Sequence, residues 1–313
     1  MSGLSAPHFV GVGSARCGTT WVFKMLRLHP QVWLPWKEMH YFDSIDPETD
    51  TGYDIRNKAF RFGFSWRYAL SRLASNTIPG ASAITRRWFP LYSVHAPGYR
   101  WTARYLLGDA TDEWYGSLFR EGEQAGLRCG EITPGYFLLS PAGIERLARV
   151  LPNASAFLLL RDPIAWAWSD LCKRTIDRGD DPAKLATEEL IARCAVPRGR
   201  TWADLGSNLS RWLRHFPRER LFIGFYDEIR SAPEPFFDRL CGFIGIDPLP
   251  EHQRGFFKER INSSARGLSM PAPVKRYAAE KYRGEAELMA KLVGGPAERW
   301  LANVEDVLKE PRT

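Results

Sequence analysis

An excess of acid, a paired set of cysteines and a long apolar run are all missing from this chain, and each absence narrows what it can be. The five cysteines, Cys17, Cys129, Cys172, Cys194 and Cys241, are odd in number and include no Cys-x-x-Cys pair. Such a scatter argues against a disulfide framework and against a zinc site, so reduced thiols and no metal are expected. No apolar run approaches the roughly 20 residues of a membrane span. The opening Met-Ser-Gly-Leu-Ser-Ala-Pro-His also lacks the basic-then-apolar order of a signal peptide, which leads to the expectation of a cytoplasmic protein without a membrane span. Acidic residues are outnumbered, 36 Asp+Glu against 43 Lys+Arg, and the resulting charge of +7 favours an anionic ligand. The arginines from Arg193 to Arg220 alternate with apolar residues at helical spacing, as on a solvated helix face, so nucleic acid is not an expected partner. Internal repeats and low-complexity segments are absent as well.

What remains is a chain of 313 residues, 44% hydrophobic and 13% aromatic, which is ample for a packed core. Strand-like runs alternate with helical periods: Phe9–Val12 then Trp21–His29, Ala156–Leu160 then Ile164–Arg174, and Leu221–Phe225 then Glu234–Ile244. That alternation predicts an α/β fold, a parallel sheet flanked by helices. The stretch from about 47 to 126 is rich in Trp, Tyr, Arg, Gly and Pro, with helical period only at Trp66–Leu73 and Trp101–Leu107. It reads as an insertion covering the carboxyl edge of the sheet, where α/β proteins bind ligands. A helical tail over Pro273–Leu292, ending at Gly294-Gly295, would close a single domain spanning residues 1–313.

The most telling segment is Phe9 to Thr20, an apolar strand running into a glycine-spaced loop that ends in hydroxyls and opens a helix. Gly13 and Gly18 let backbone N–H groups turn inward, Thr19 and Thr20 add hydroxyl donors, and the helix directs its positive end at the same point. Arg16 adds a full charge. The spacing fits Gly-x-x-x-x-Gly of the nucleotide-triphosphatase loop, but Thr19 stands where that loop needs lysine, so a phosphate cradle without Mg-triphosphatase chemistry is expected. A second segment, Phe157 to Ser169, delivers Arg161 to a strand end, places Pro163 in the first turn of a helix and Ser169 about two turns along. A guanidinium and a hydroxyl so placed can fork another phosphate; alone, Arg161-Asp162 would read equally as a local ion pair.

With both loops present, the chain resembles the sulfotransferases that use 3′-phosphoadenosine-5′-phosphosulfate (PAPS), most closely the branch of the heparan sulfate enzymes and their bacterial relatives. Gly11–Thr20 with His29-Pro30, Lys37–Asp43, Gly130–Tyr136, and Leu160-Arg-Asp-Pro with Ser169-Asp170 carry the resemblance in order. It implies a nucleotide-kinase-like P-loop fold, PAPS as donor cosubstrate, and transfer of a sulfuryl group to a hydroxyl or amine of a carbohydrate, lipid-like or small-molecule acceptor without a metal. By the same resemblance Arg16, Cys17, Gly18, Thr19 and Thr20 would hold the 5′-phosphosulfate, with Arg16 where lysine is commoner. Arg161 and Ser169 would hold the 3′-phosphate, and Arg266-Gly267 would close over the donor.

In Lys37-Glu-Met-His-Tyr-Phe-Asp43 an extended backbone would put Glu38 and His40 on one face. The resemblance makes Glu38 the general base, with His40 and Asp43 orienting the acceptor; His40 as base is the competing choice, since histidine titrates near neutrality. Glu131 would accept hydrogen bonds from acceptor hydroxyls. A P-loop kinase using Mg-ATP, with Asp227-Glu228 on its metal, and a non-catalytic polyanion-binding module remain as rival readings at this point.

Overall fold

The structure, a computed structural model, describes residues 7–49, 51–57, 95, 98–195, 203–258 and 267–311. The expected helix Trp66–Leu73 and Arg266 lie outside them. Five strands, β1 (Phe9–Gly13), β2 (Val32–Trp33), β3 (Arg128–Ile132), β4 (Ser155–Leu160) and β5 (Leu221–Phe225), form one sheet in the order β2-β3-β1-β4-β5. Every pairing is parallel, with Phe9 opposite Gly130 and Ser155, and Ala156 opposite Leu221. The expected parallel α/β architecture is therefore present. Central β1 is buried along its whole length and β4 over all but its first residue, which is why both read as continuous apolar runs.

Helix α1 (Thr19–Leu28) follows β1, buries Trp21, Val22, Phe23, Met25 and Leu26 in the core, and ends where Pro30 forces His29 into extended backbone. Next come the short α2 (Tyr41–Ile45) and then α3 (Tyr99–Leu107), α4 (Asp112–Ser117) and α5 (Arg120–Gln124). Beyond β3, a 3₁₀ turn (Pro134–Leu138) leads into α6 (Pro141–Val150), and α7 (Pro163–Asp177) follows β4. Asp162 caps α7, its Oδ1 accepting from the N–H groups of Ile164 (2.7 Å) and Ala165 (3.0 Å), with Pro163 in the first turn. The remaining helices are α8 (Thr187–Ala195), α9 (Leu205–His215), α10 (Tyr226–Ser231), α11 (Pro233–Ile244), α12 (Ala272–Val293) and α13 (Pro296–Lys309).

Two regions differ from expectation. Residues 98–126 do not form a cover confined to the carboxyl edge: α5 lies beside the start of β3, where a Cβ on Gly122 would sit 2.3 Å from the Trp33 ring. Trp101, Trp114 and Tyr115 are core, buried and stacked with Tyr105 and Tyr41. Gly294-Gly295 is also not the end of the helical tail. Both glycines have positive φ (61° and 52°) and reverse the chain, and Pro296 then opens α13.

Candidate active site

Because all strands run the same way, the segments leaving β1, β3 and β4 meet at one edge of the sheet. The loop after β1 turns through Gly13 (φ 141°) and Gly18 (φ 97°). A side chain is excluded at both: a Cβ would come 2.6 Å from Phe137 Cβ at Gly13 and 2.8 Å from Ile229 Cδ1 at Gly18. Gly18 caps α1 without a side-chain hydrogen bond, so the first N–H groups of the helix, those of Thr19 and Thr20 included, face the loop with the helix dipole behind them. Thr19 is buried and Thr20 half-buried. Cys17 is fully buried, that burial pushes its thiol up to about 11, and its Sγ contacts the Ala15 carbonyl of the same loop.

Arg16 and Ser169, expected at two different phosphates, are in contact. The Arg16 guanidinium donates from Nε (3.2 Å) and NH2 (3.0 Å) to Ser169 Oγ. Arg161 lies beside them, donating from NH1 to the Arg16 carbonyl (3.0 Å) and stacking 4.3 Å from the centre of the Tyr226 ring. Its Nε is buried without a hydrogen-bond partner, a donor that an anionic ligand would satisfy. Gly267, with φ 80°, begins the segment whose Leu268 carbonyl accepts from Trp168 Nε1 of α7 at 3.2 Å.

Lys37 forms an isolated parallel bridge with Ile132, and the Glu38 N–H donates to the Ile132 carbonyl (2.9 Å), which fastens this segment past the end of β3. It is not extended: Glu38 (φ 66°) and His40 (φ 53°) are both left-handed. Two left-handed residues, rather than strand alternation, bring Glu38 Oε2 within 3.8 Å of His40 Nε2, while Met39 between them is buried in the core. His40 Nδ1 pairs with Asp43 Oδ2 (2.7 Å), Thr51 Oγ1 donates to the same oxygen (2.9 Å), and the Tyr53 ring stacks on the imidazole at 3.6 Å and 10°. Lys37 Nζ pairs with Glu38 Oε1. Burial works against the Glu38 charge, but Lys37 and His40 outweigh it and hold the carboxyl below the ordinary carboxylate range. Burial likewise opposes the His40 charge, and Asp43 with Glu38 overcomes it, raising the imidazole to about 9.

Arg16, Glu38 and His40 are the non-glycine residues with positive φ among the described residues. Left-handed backbone costs an ordinary side chain roughly 1–2 kcal/mol, and its concentration on these residues marks a site whose geometry outranks local comfort.

Glu131 is not where a substrate-facing carboxylate would be. Fully buried on β3, it accepts from Tyr115 Oη (2.5 Å), Tyr136 Oη (2.8 Å) and Thr133 Oγ1 (2.7 Å), and burial raises its pKa. Thr133 Oγ1 in turn accepts from the Met39 N–H (2.8 Å), and Tyr136 Oη from the Tyr41 N–H (3.0 Å). Glu131 thus anchors the backbone on both sides of His40, with its own oxygens occupied by protein donors. A broad cavity of about 700 Å³, lined by His8, Gln31, Glu123, Arg128 and Asp247, sits at the opposite, amino edge of the sheet and shares no residue with this site. Among the described residues no cluster of His, Cys, Asp and Glu is arranged to hold a metal ion, and no helix is long and apolar enough to cross a membrane.

A glycine-turned strand-to-helix loop, the arginines and serine beside it, and a glutamate–histidine pair thus meet at one edge of the sheet. A profile of the sulfotransferase family matches residues 7–251, and the chain belongs to that family. It is similar to human heparan sulfate glucosamine 3-O-sulfotransferase 3B1, 26% identical over 135 residues (41% of this chain and 34% of that one), and to its mouse counterpart at 24% over 134 residues (41% and 34%). The match spans about a third of the length of these relatives. A crystal structure of a sulfotransferase from Alicyclobacillus acidocaldarius shares the fold, with TM-score 0.56 and 19% identity over 94% of this chain and 98% of that one.

Proposed function

We propose that this sulfotransferase takes its sulfuryl group from PAPS and delivers it to a hydroxyl or amine of a carbohydrate, lipid-like or small-molecule acceptor, with Glu38 as general base. The observation that carries the reading is the coincidence of left-handed backbone at Arg16, Glu38 and His40, which ties a phosphate cradle to a titratable pair at the same sheet edge. The N–H groups of Gly18, Thr19 and Thr20 receive the 5′-phosphosulfate, and the unpartnered Nε of Arg161 together with Ser169 Oγ receives the 3′-phosphate. Arg16, which already reaches Ser169, bridges the two anions. A role for Cys17 is confined to its backbone, and Gly267 borders the donor.

On the acceptor side, His40 near pH 7 carries its proton and has no free lone pair, so of the two only the ionised Glu38 can accept a proton. Asp43 fixes the imidazole, which holds the acceptor and Glu38 in register. The acceptor's proton passes to Glu38 as its oxygen or nitrogen forms the bond to sulfur; the bond from sulfur to the 5′-phosphate oxygen breaks, and 3′,5′-ADP leaves with the electron pair. Positioning and preorganised charge supply the rate, as in phosphoryl transfer. The test is a mass-spectrometric screen of oligosaccharide, lipid and phenolic acceptor pools incubated with the protein and PAPS. One added sulfate on an acceptor and release of 3′,5′-ADP support the proposal; turnover with Mg-ATP and none with PAPS rejects it.

A further inference from the structure

The family profile ends at residue 251, yet α12 and α13, which lie beyond it, contact residues next to the proposed donor site. From α13, Asn303 Nδ2 donates to Asp162 Oδ2 (3.0 Å). Asp162 follows Arg161 in the chain, and its other oxygen caps the helix that carries Ser169. One turn earlier on α13, the buried Trp300 donates from Nε1 to Asp227 Oδ2 (3.2 Å) and packs edge-on against Phe225 at 5.6 Å. These two residues flank Tyr226, the ring on which the Arg161 guanidinium rests. From α12, Tyr282 packs edge-on against Trp166 at 6.2 Å, and Trp166 Nε1 donates to the Ala15 carbonyl inside the phosphate loop (3.0 Å). None of Asn303, Trp300 and Tyr282 belongs to the set assigned to the donor: Asn303 holds the chain neighbour of Arg161, Trp300 holds the two neighbours of Tyr226, and Tyr282 packs on the ring that bonds the phosphate loop.

We infer that Asn303 and Trp300 are positioning residues for the 3′-phosphate site, locking the Arg161–Tyr226 stack and the α7 cap to the C-terminal helix pair. The inference rests on the donor reading above. Arg161 serves a 3′-phosphate through its unpartnered Nε; its guanidinium rests on Tyr226 and donates to the Arg16 carbonyl, and its chain neighbour Asp162 is held by Asn303. Asp162 and Tyr226 leave different strands, β4 and β5, and α13 is the element that bonds to both chain segments. Removing either anchor frees one side of the stack and spares the phosphate loop, so the loss falls on the 3′-phosphate and not on the 5′ end of the ligand.

The experiment compares Asn303→Ala, Asn303→Asp and Trp300→Phe with the parent, measuring calorimetric affinities for 3′,5′-ADP and 5′-AMP below the unfolding transition. Trp300→Phe keeps an aromatic ring on Phe225 and loses only the indole donor, so it reports even where Asn303→Asp, which sets two carboxylates together, does not fold. The expected result is about a 3- to 10-fold weaker 3′,5′-ADP affinity in Asn303→Ala and Trp300→Phe with 5′-AMP affinity held, narrowing the ratio between the two ligands. A merely structural role would lower the melting temperature and leave that ratio in place, which would overturn the inference. A parent that does not prefer 3′,5′-ADP over 5′-AMP would instead overturn the donor reading itself, a result the parent measurement alone reveals.

Discussion

Replacing Glu38 by glutamine tests how the paired residues divide their work. The amide keeps the shape and the contact with Lys37 or His40 but cannot take a proton, so turnover is expected to fall by roughly 10²–10⁴, or about 3–5 kcal/mol of barrier, with 3′,5′-ADP affinity unchanged. The sign of the pH dependence follows from the structure. Glu38 is held below the ordinary carboxylate range and His40 is raised to about 9, so through neutrality the glutamate is ionised and the histidine protonated. With Glu38 as base and protonated His40 holding the acceptor, kcat is level through neutrality and falls as pH rises through about 9. A histidine base would do the reverse, gaining activity as it loses its proton over that range. Profiles of kcat against pH for the parent, Glu38→Gln and His40→Asn, with PAPS and an acceptor from the screen, separate the two. Near-full activity in Glu38→Gln beside an inactive His40→Asn, or a parent rate that climbs through pH 9, would refute the assignment. The same ionisation is linked to stability. Because the folded His40 sits above its ordinary value of 6.5, its contribution is complete below that value and is lost as pH rises through about 9, a decline that urea titrations of His40→Asn should lack.

Arg161→Ala should weaken 3′,5′-ADP binding by about 2 kcal/mol and Ser169→Ala by about 1 kcal/mol, measured calorimetrically, with smaller losses for 5′-AMP. Gly18→Ala places a methyl group 2.8 Å from Ile229 Cδ1 on backbone at φ 97°, so a stability loss of about 1–3 kcal/mol in urea together with weaker binding of every nucleotide is expected. Thr133→Val keeps the shape but strips the Met39 N–H and one Glu131 oxygen of their partner. It should cost about 2–3 kcal/mol by chemical denaturation and reduce kcat more than donor affinity, because the backbone it releases carries Glu38 and His40.

The elements legible in the sequence are those where pattern and motif coincide. Strands β1, β4 and β5 are uninterrupted apolar runs followed by strong helical periods, and Asp162-Pro163 announces its helix by cap chemistry alone. Strand β2 is two residues long and β3 contains Gly130 and Glu131 ahead of Thr133-Pro134, so in sequence the latter reads as a turn. Its strand character comes from pairing with β1, where Glu131 finds Tyr115, a partner 16 residues away that spacing does not reveal. The site residues were legible as types and not as geometry. Nothing local says that Arg16 reaches Ser169 across 153 residues, or that Glu38 and His40 meet through left-handed turns rather than strand alternation. Gly294-Gly295-Pro296, a reversal followed by a proline suited to a first helical turn, is the sequence signal that marks α13.

In the proposed donor site two loops, one after β1 and one after β4, together hold a nucleotide phosphorylated at both 3′ and 5′. Calorimetry of the parent with 3′,5′-ADP, 5′-AMP and Mg-ATP under one set of conditions tests it most directly. 3′,5′-ADP is expected to bind more tightly than 5′-AMP by at least about tenfold, the value of one charged hydrogen-bonded contact of about 1.4 kcal/mol or more, and Mg-ATP to gain nothing from its metal. Equal affinities for 3′,5′-ADP and 5′-AMP, or a preference for Mg-ATP, would contradict it.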